Sequence, residues 1–150
     1  MKKHTDHSFL GTGWSFPPEF DPDMGSIVMV SDEQDIWESL QLILSTSPGE
    51  RMMFPKFGCG IRRMVFDTVN TTFLTQLKDL IRFSVLHYEP RIVLNDVTIS
   101  GSDTHEGMLH IKLDYTIRKT NSRSNLVYPF YLREGTNIAP QYIKSSKESK

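Results

Sequence analysis

The chain has 150 residues, of which 38% are hydrophobic and 23% charged, enough for one domain with a single core and too apolar for a disordered chain. Seventeen Lys and Arg against eighteen Asp and Glu leave a net charge of −1, so no global field steers the protein to nucleic acid or an anionic membrane. The single cysteine, Cys59, excludes an intrachain disulfide, no run reaches the ~18 apolar residues of a membrane span, and polar Thr5-Asp6-His7-Ser8 occupies the place of a signal-peptide core, so a cytoplasmic location is expected.

Residues 1–8 are polar and expected to be disordered. Residues 9–23 hold three prolines and two glycines beside Phe9, Leu10, Trp14, Phe16 and Phe20. Prolines and glycines oppose regular structure, and the large apolar side chains need cover, so this is an extended arm packed on its own domain or on a neighbour. The β-branched run Ile27-Val28-Met29-Val30 reads as a short strand. Ser31 and Gln34 are spaced as a capping box, and Asp32, Glu33 and Asp35 suit the positive end of a helix dipole. Ile36, Leu40, Ile43 and Leu44 form the apolar stripe of a first helix, which Pro48-Gly49 stops.

Residues 50–67 are irregular, broken by Pro55, Gly58 and Gly60. A second helix opens near Asn70-Thr71-Thr72, all residues that cap. It carries Phe73, Leu77, Leu80, Ile81 and Ser84 on one stripe and ends at Glu89-Pro90, since a residue before proline resists the α region. From Ile92 the period falls to two. Residues 92–100 read as a strand and Gly101-Ser102-Asp103 as a turn. In 107–119, Leu109, Ile111, Leu113, Tyr115 and Ile117 alternate with His110, Lys112, Asp114, Thr116 and Arg118, one dry face and one wet face of an antiparallel sheet. After a polar turn at 121–125, residues 126–132 alternate Leu126, Tyr128, Phe130 and Leu132, and Pro129 places that strand at an edge because it cannot donate to a ladder. The polar stretch 133–150 is a tail whose last seven residues are expected to be disordered. The fold class is α+β: two helices packed on a small antiparallel sheet of three to four strands, with an N-terminal extended arm.

Three blocks stand in a distinctive order: Phe9-Leu10-Gly11-Thr12-Gly13-Trp14-Ser15-Phe16-Pro17; the first helix with Thr46-Ser47-Pro48-Gly49-Glu50-Arg51, Pro55-Lys56-Phe57-Gly58-Cys59-Gly60-Ile61 and Val65-Phe66; and His87-Tyr88-Glu89-Pro90-Arg91-Ile92. Together they resemble the baseplate wedge family of contractile-tailed phages, once called lysozyme-like, whose relatives include the TssE component of type VI secretion systems. The resemblance spans residues 9–132. It implies a structural subunit that links baseplate wedge proteins to the contractile sheath and starts sheath polymerisation. In that picture Glu89, Pro90 and Arg91 dock on the wedge core. The strands at 107–119 and 126–132 form a strand-exchange module, with Leu126, Val127, Tyr128, Phe130 and Tyr131 facing sheath subunits. Gly11, Gly13, Trp14, Pro48, Gly49, Glu50, Arg51, Pro55, Phe57, Gly58, Cys59 and Gly60 are its structural motif.

Residue chemistry gives no competing site. Cys59 between two glycines lacks the local base that a catalytic thiol needs and reads as close packing. His4 and His7 have no second pair to complete a metal site. Gly11-Thr12-Gly13 lacks a preceding strand and the rest of a dinucleotide or phosphate loop. A lysozyme-type hydrolase would need two carboxyl groups, with Glu50 and Asp67 or Glu89 and Asp67 as the candidate pairs, but Arg51 and Arg91 stand beside them and favour the ionised form. No catalytic residue, metal, cofactor or small-molecule substrate is therefore expected.

Overall fold

In a computed structural model of the chain, residues 10–65, 67, 69–101 and 107–132 are described. Phe9, Phe66, the expected turn residues Ser102 and Asp103, and the two terminal segments 1–8 and 133–150 lie outside them.

The arm folds back on its own domain. Strand β1 (Thr12–Trp14) pairs antiparallel with β4 (Met29–Ser31), and β2 (Phe20–Asp21) pairs with β3 (Ser26–Ile27). The expected strand at 27–30 is thus split at Val28, whose N–H reaches the Glu19 carbonyl at 2.8 Å while its own carbonyl accepts from Ser15. Leu10 anchors the arm in the core, whereas Trp14 and Phe20 stay exposed.

Helix α1 (Asp32–Ser45) buries Ile36, Leu40, Ile43 and Leu44, the stripe that its spacing predicts. Its start corrects the expected capping box. Ser31 is the N-cap residue but accepts no helix N–H, because Asp32 enters the helix through a left-handed φ of +66°. The Gln34 amide reaches Glu38 instead, at 2.9 Å. Helix α2 (Thr71–Tyr88) is capped by the Asn70 side chain, which accepts from Phe73 N at 2.8 Å, and buries Phe73, Leu77, Ile81, Ser84 and Val85.

Strands β5 (Ile92–Gly101), β6 (Met108–Ile117) and β7 (Ser122–Tyr131) form an antiparallel meander in the order β5-β6-β7. One face of β6 is buried along its length, at Leu109, Ile111, Leu113, Tyr115 and Ile117. This face and the stripes of both helices close one core, which also takes in Leu10, Cys59 and Ile61. Strand β7 begins four residues before the apolar alternation does. Ser122 through Asn125 pair with Ile117 through Asp114, so the polar segment expected to be a turn is ladder, and the turn itself is shorter, with Asn121 at φ +53°. Polar side chains on a solvent-facing strand cost little when the backbone is paired.

Candidate functional site

Two of the sequence blocks meet at one guanidinium. Arg91 follows α2 by three residues, and Pro90 holds the chain extended there so that Arg91 turns back along its own helix end. Its Nε and Nη2 donate to Glu89 Oε1 and Oε2, each at 2.6 Å, a two-pronged fork. Nη1 donates to Asp35 Oδ2 at 2.5 Å and to the Leu10 carbonyl at 3.2 Å. The glycines of the first block make the room. A Cβ on Gly11, which sits at φ +107°, would lie 3.2 Å from Arg91 Nη1, and one on Gly13 would collide with Asp35 Oδ1. Arm, first helix and helix–strand corner are thereby tied through a single cation.

The electrostatics explain why arginine stands here. Glu89 is only 2% exposed, and a carboxylate so deeply buried costs several kcal/mol unless it is paired and hydrogen-bonded. The fork supplies both, and Arg is preorganised for it where Lys is not. The guanidinium is held above its ordinary pKa, chiefly by the hydrogen bond to Glu89, against burial, with Asp35 adding to the hold. Most of the charge pair expected to face a partner is thus spent within the chain. What reaches solvent is Pro90 and the outer side of Arg91, whose side chain is 29% exposed.

Neither Asp35 nor Glu38 was legible as a partner of these blocks. Asp35 reads from sequence as one more acid in a first helical turn. Glu38, buried, accepts from Phe16 N at 2.8 Å and so fastens the arm a second time. Their spacing of three on α1 puts both carboxylates on the face toward the arm, a signal open to interpretation only once the arm is known to return.

The middle block builds the far end of α1. Cys59 N donates to the carbonyls of Ile43 at 2.9 Å and Thr46 at 3.0 Å, satisfying acceptors that a helix end leaves free. Gly58 makes the approach possible: it sits at φ +111°, and a Cβ there would strike the Thr46 carbonyl. Cys59 itself is fully buried, and burial pushes its thiol pKa up, partly offset by Ser84 and the Ile61 backbone. This is the environment of an inert thiol. Gly49, at φ +99°, donates to the Pro55 carbonyl at 2.7 Å, and Glu50 accepts from Ser47 N at 3.0 Å. Arg51 lies 4.4 Å over the Phe57 ring. Gly60 opens a short 3₁₀ turn, Gly60–Met64.

The strand expected to face sheath subunits is an edge. Among the described residues β7 pairs with β6 alone, in unbroken register from Ser122 to Tyr131. Leu126 and Phe130 point into the core, Tyr128 is half-buried, and Val127 and Tyr131 are exposed. The other edge, β5, is less regular: a bulge between Leu94 and Asp96 interrupts it, and Arg82 pairs with Asp96 at 3.6 Å. Bulges blunt an edge against further pairing.

Of the three carboxylates considered for hydrolysis, Glu89 and Glu50 are engaged within the chain. Both Glu89 oxygens accept from Arg91, and Glu50 caps Ser47 while lying 3.8 Å from Arg62. Among the described residues no group of three or more His, Cys, Asp and Glu is placed to hold a metal, and no helix is long and apolar enough to cross a membrane.

Comparison with known proteins agrees with the blocks. The profile of a family described as baseplate wedge protein gp25 matches residues 30–122. A Geobacter sulfurreducens protein, provisionally named a tail lysozyme, is 48% identical and superposes with a TM-score of 0.67, over 73% of this chain and 98% of that one. A chain of the anti-feeding prophage baseplate, reconstructed with six-fold symmetry, is 25% identical with a TM-score of 0.61, over 84% and 89% of the two chains. A chain of the contracted pyocin R2 baseplate, 22% identical with a TM-score of 0.50 over 76% and 97%, shares the fold. No curated protein sequence matches significantly.

Proposed function

The chain is a baseplate wedge component, a member of the baseplate wedge protein gp25 family, and from that premise we propose that it joins wedge proteins to the contractile sheath of a phage-tail-like injection machine and starts sheath polymerisation. The observation that carries the sheath half of this reading is the β7 edge, which keeps unbroken register with β6 and lacks an outward donor only at Pro129. A row of unpaired backbone groups accepts an extended arm of another subunit by β-augmentation, with Val127 and Tyr131 beside the added strand. Each added backbone hydrogen bond is worth only about 0.5–1.5 kcal/mol net, so a stable seam needs several in register. Every second residue of the ten-residue strand turns its backbone groups outward, which supplies several such bonds less the donor that Pro129 lacks.

On the wedge side, exposed Pro90 and the outer edge of Arg91 are the proposed contact, with Glu89 positioning the guanidinium from beneath rather than touching the partner. Residues 9–132 are the proposed folding unit, with 1–8 and 133–150 flanking it. The protein works as part of an assembled baseplate, without nucleic acid, cofactor or direct membrane insertion.

The name given to the Geobacter neighbour raises a second reading, hydrolysis of a sugar polymer. A retaining or inverting glycosidase needs one free acid and one free carboxylate facing a cleft. The engagement of Glu89 and Glu50 within the chain favours the structural reading.

Sheath assembly on reconstituted baseplates tests the proposal. Val127→Asp with Tyr131→Asp, both exposed positions, should leave the fold intact and stop sheath growth at the first ring. Sheaths of normal length on such baseplates would refute the β7 role, and solubilisation of purified peptidoglycan by the wild-type protein would refute the structural reading itself.

A further inference from the structure

Residues 50–63 concentrate a charge and a chemistry that the proposed function does not use. They hold four cations, Arg51, Lys56, Arg62 and Arg63, against the single carboxylate of Glu50, in a chain whose net charge is −1. The same loop exposes Met52 and Met53 almost completely, at 96% and 97%, and Phe54 by half. Arg, Met and aromatic residues are the types enriched in the buried centres of protein interfaces, and nothing in folding alone favours leaving them in water.

The loop is backed by a firm surface. Phe57 packs on Tyr88 at 5.0 Å between ring centres, Tyr88 meets His87 at 4.8 Å, and His87 stacks on exposed Phe83. The Tyr88 hydroxyl donates to the Lys56 carbonyl and pins the loop to α2. Between Pro48, Met64, Phe83 and Tyr88 runs a groove of about 350 Å³ with Lys56 and Arg63 at its rim. The groove is large enough for one or two side chains, near the lower limit of ligand-sized sites.

We propose that this groove docks an acidic segment of another protein, anchored by one aromatic or large aliphatic side chain. The anchor fills the apolar floor, and flanking carboxylates meet Lys56 and Arg63. Charge complementarity points to another protein rather than to this chain's own ends, since residues 1–9 carry Lys2 and Lys3 against Asp6, and 133–150 carry Arg133, Lys144, Lys147 and Lys150 against Glu134 and Glu148. Like-signed segments are repelled from a cationic rim. No residue of β7 lines the groove, and the inference goes beyond the proposed function, since it holds whether or not β7 takes a sheath arm.

Panning a random dodecapeptide library on the full-length protein tests it. Enrichment of net-acidic peptides with a Phe, Trp, Leu or Ile anchor is expected. A synthetic version of an enriched peptide should bind at least about ten-fold more weakly to Lys56→Glu/Arg63→Glu and lose affinity as salt rises. If that double variant unfolds, Phe83→Ser, on an exposed helix position, carries the same comparison. Enrichment of neutral or basic peptides, no enrichment, or affinity unchanged in both variants would overturn the proposal. So would self-association of the wild-type protein in sedimentation that charge reversal abolishes, because the occupant would then be a second copy.

Discussion

Asp35 reaches Arg91 across the arm only because residue 13 has no side chain: its Oδ2 accepts from Nη1 at 2.5 Å while its Oδ1 occupies the space a Gly13 Cβ would fill. Two motifs nearly eighty residues apart in sequence are one device. Gly13→Ala should therefore cost about 1–3 kcal/mol, the range for overpacking a tight site. In a double-mutant cycle, adding Asp35→Ala should make the combined loss clearly smaller than the sum of the two single losses. Urea unfolding of the four proteins checks this, and strictly additive losses would mean the two positions do not meet.

Arg91→Ala leaves the Glu89 carboxylate buried without its counter-ion, with only the long backbone bond from residue 91 at 3.4 Å. The expected loss is about 3–5 kcal/mol, and Arg91→Lys should recover only part of it because an ammonium cannot make the fork. Replacing the pair together, Glu89→Gln with Arg91→Met, should be milder than Arg91→Ala alone. Thermal melts of the three variants decide it, and an Arg91→Ala protein as stable as wild type would remove Arg91 from the architecture.

Cys59 should be silent to thiol reagents in the native protein. It is fully buried with a raised pKa, so the reactive thiolate forms only when the core opens. Labelling with a maleimide at neutral pH should be slowed at least ~10³-fold relative to the urea-unfolded chain, tracking global opening. Rapid labelling without urea would place Cys59 at a locally mobile site.

Tyr115 contributes to the loss of stability at alkaline pH. Burial, then the fields of Glu33 and Glu89, push its hydroxyl pKa up to about 12, while in the unfolded chain it ionises near 10. Between roughly pH 10 and 12 the unfolded state holds fewer protons than the folded one. Stability present below pH ~10 is accordingly lost as pH rises through that window. Tyr115→Phe should flatten this part of the profile, and a slope unchanged by the substitution would assign the alkaline loss to other groups, such as Tyr128, whose pKa burial also raises.

The reach of the sequence follows from the range of each interaction. Ile36, Leu40, Ile43 and Leu44 are read correctly because a helical stripe is a local fact, and the alternation in β6 is another. Pro129 marks an edge because the missing donor is a property of the residue itself. The β1–β4 pairing is hidden: Thr12–Trp14 and Met29–Ser31 are short and separated by a proline-rich stretch, and nothing local tells a strand which partner it will find. Ser122 to Asn125 are hidden for the opposite reason, since polar residues look like a turn until a neighbouring strand pairs their backbone. The blocks containing Gly13 and Arg91 stand out by resemblance, but that they bind each other depends on contacts 56 and 81 residues long.

The arm's return also bears on where the protein can be cut. The matched family region starts at residue 30, yet the Leu10 carbonyl, the Phe16 amide and β1 all lie upstream of it. A truncation at that boundary would strip Glu38 of a donor and Arg91 of an acceptor, and would take Met29 from β4 together with its partner strand. Any shortened version meant for crystallisation or for grafting onto another particle should keep everything from Leu10 onward.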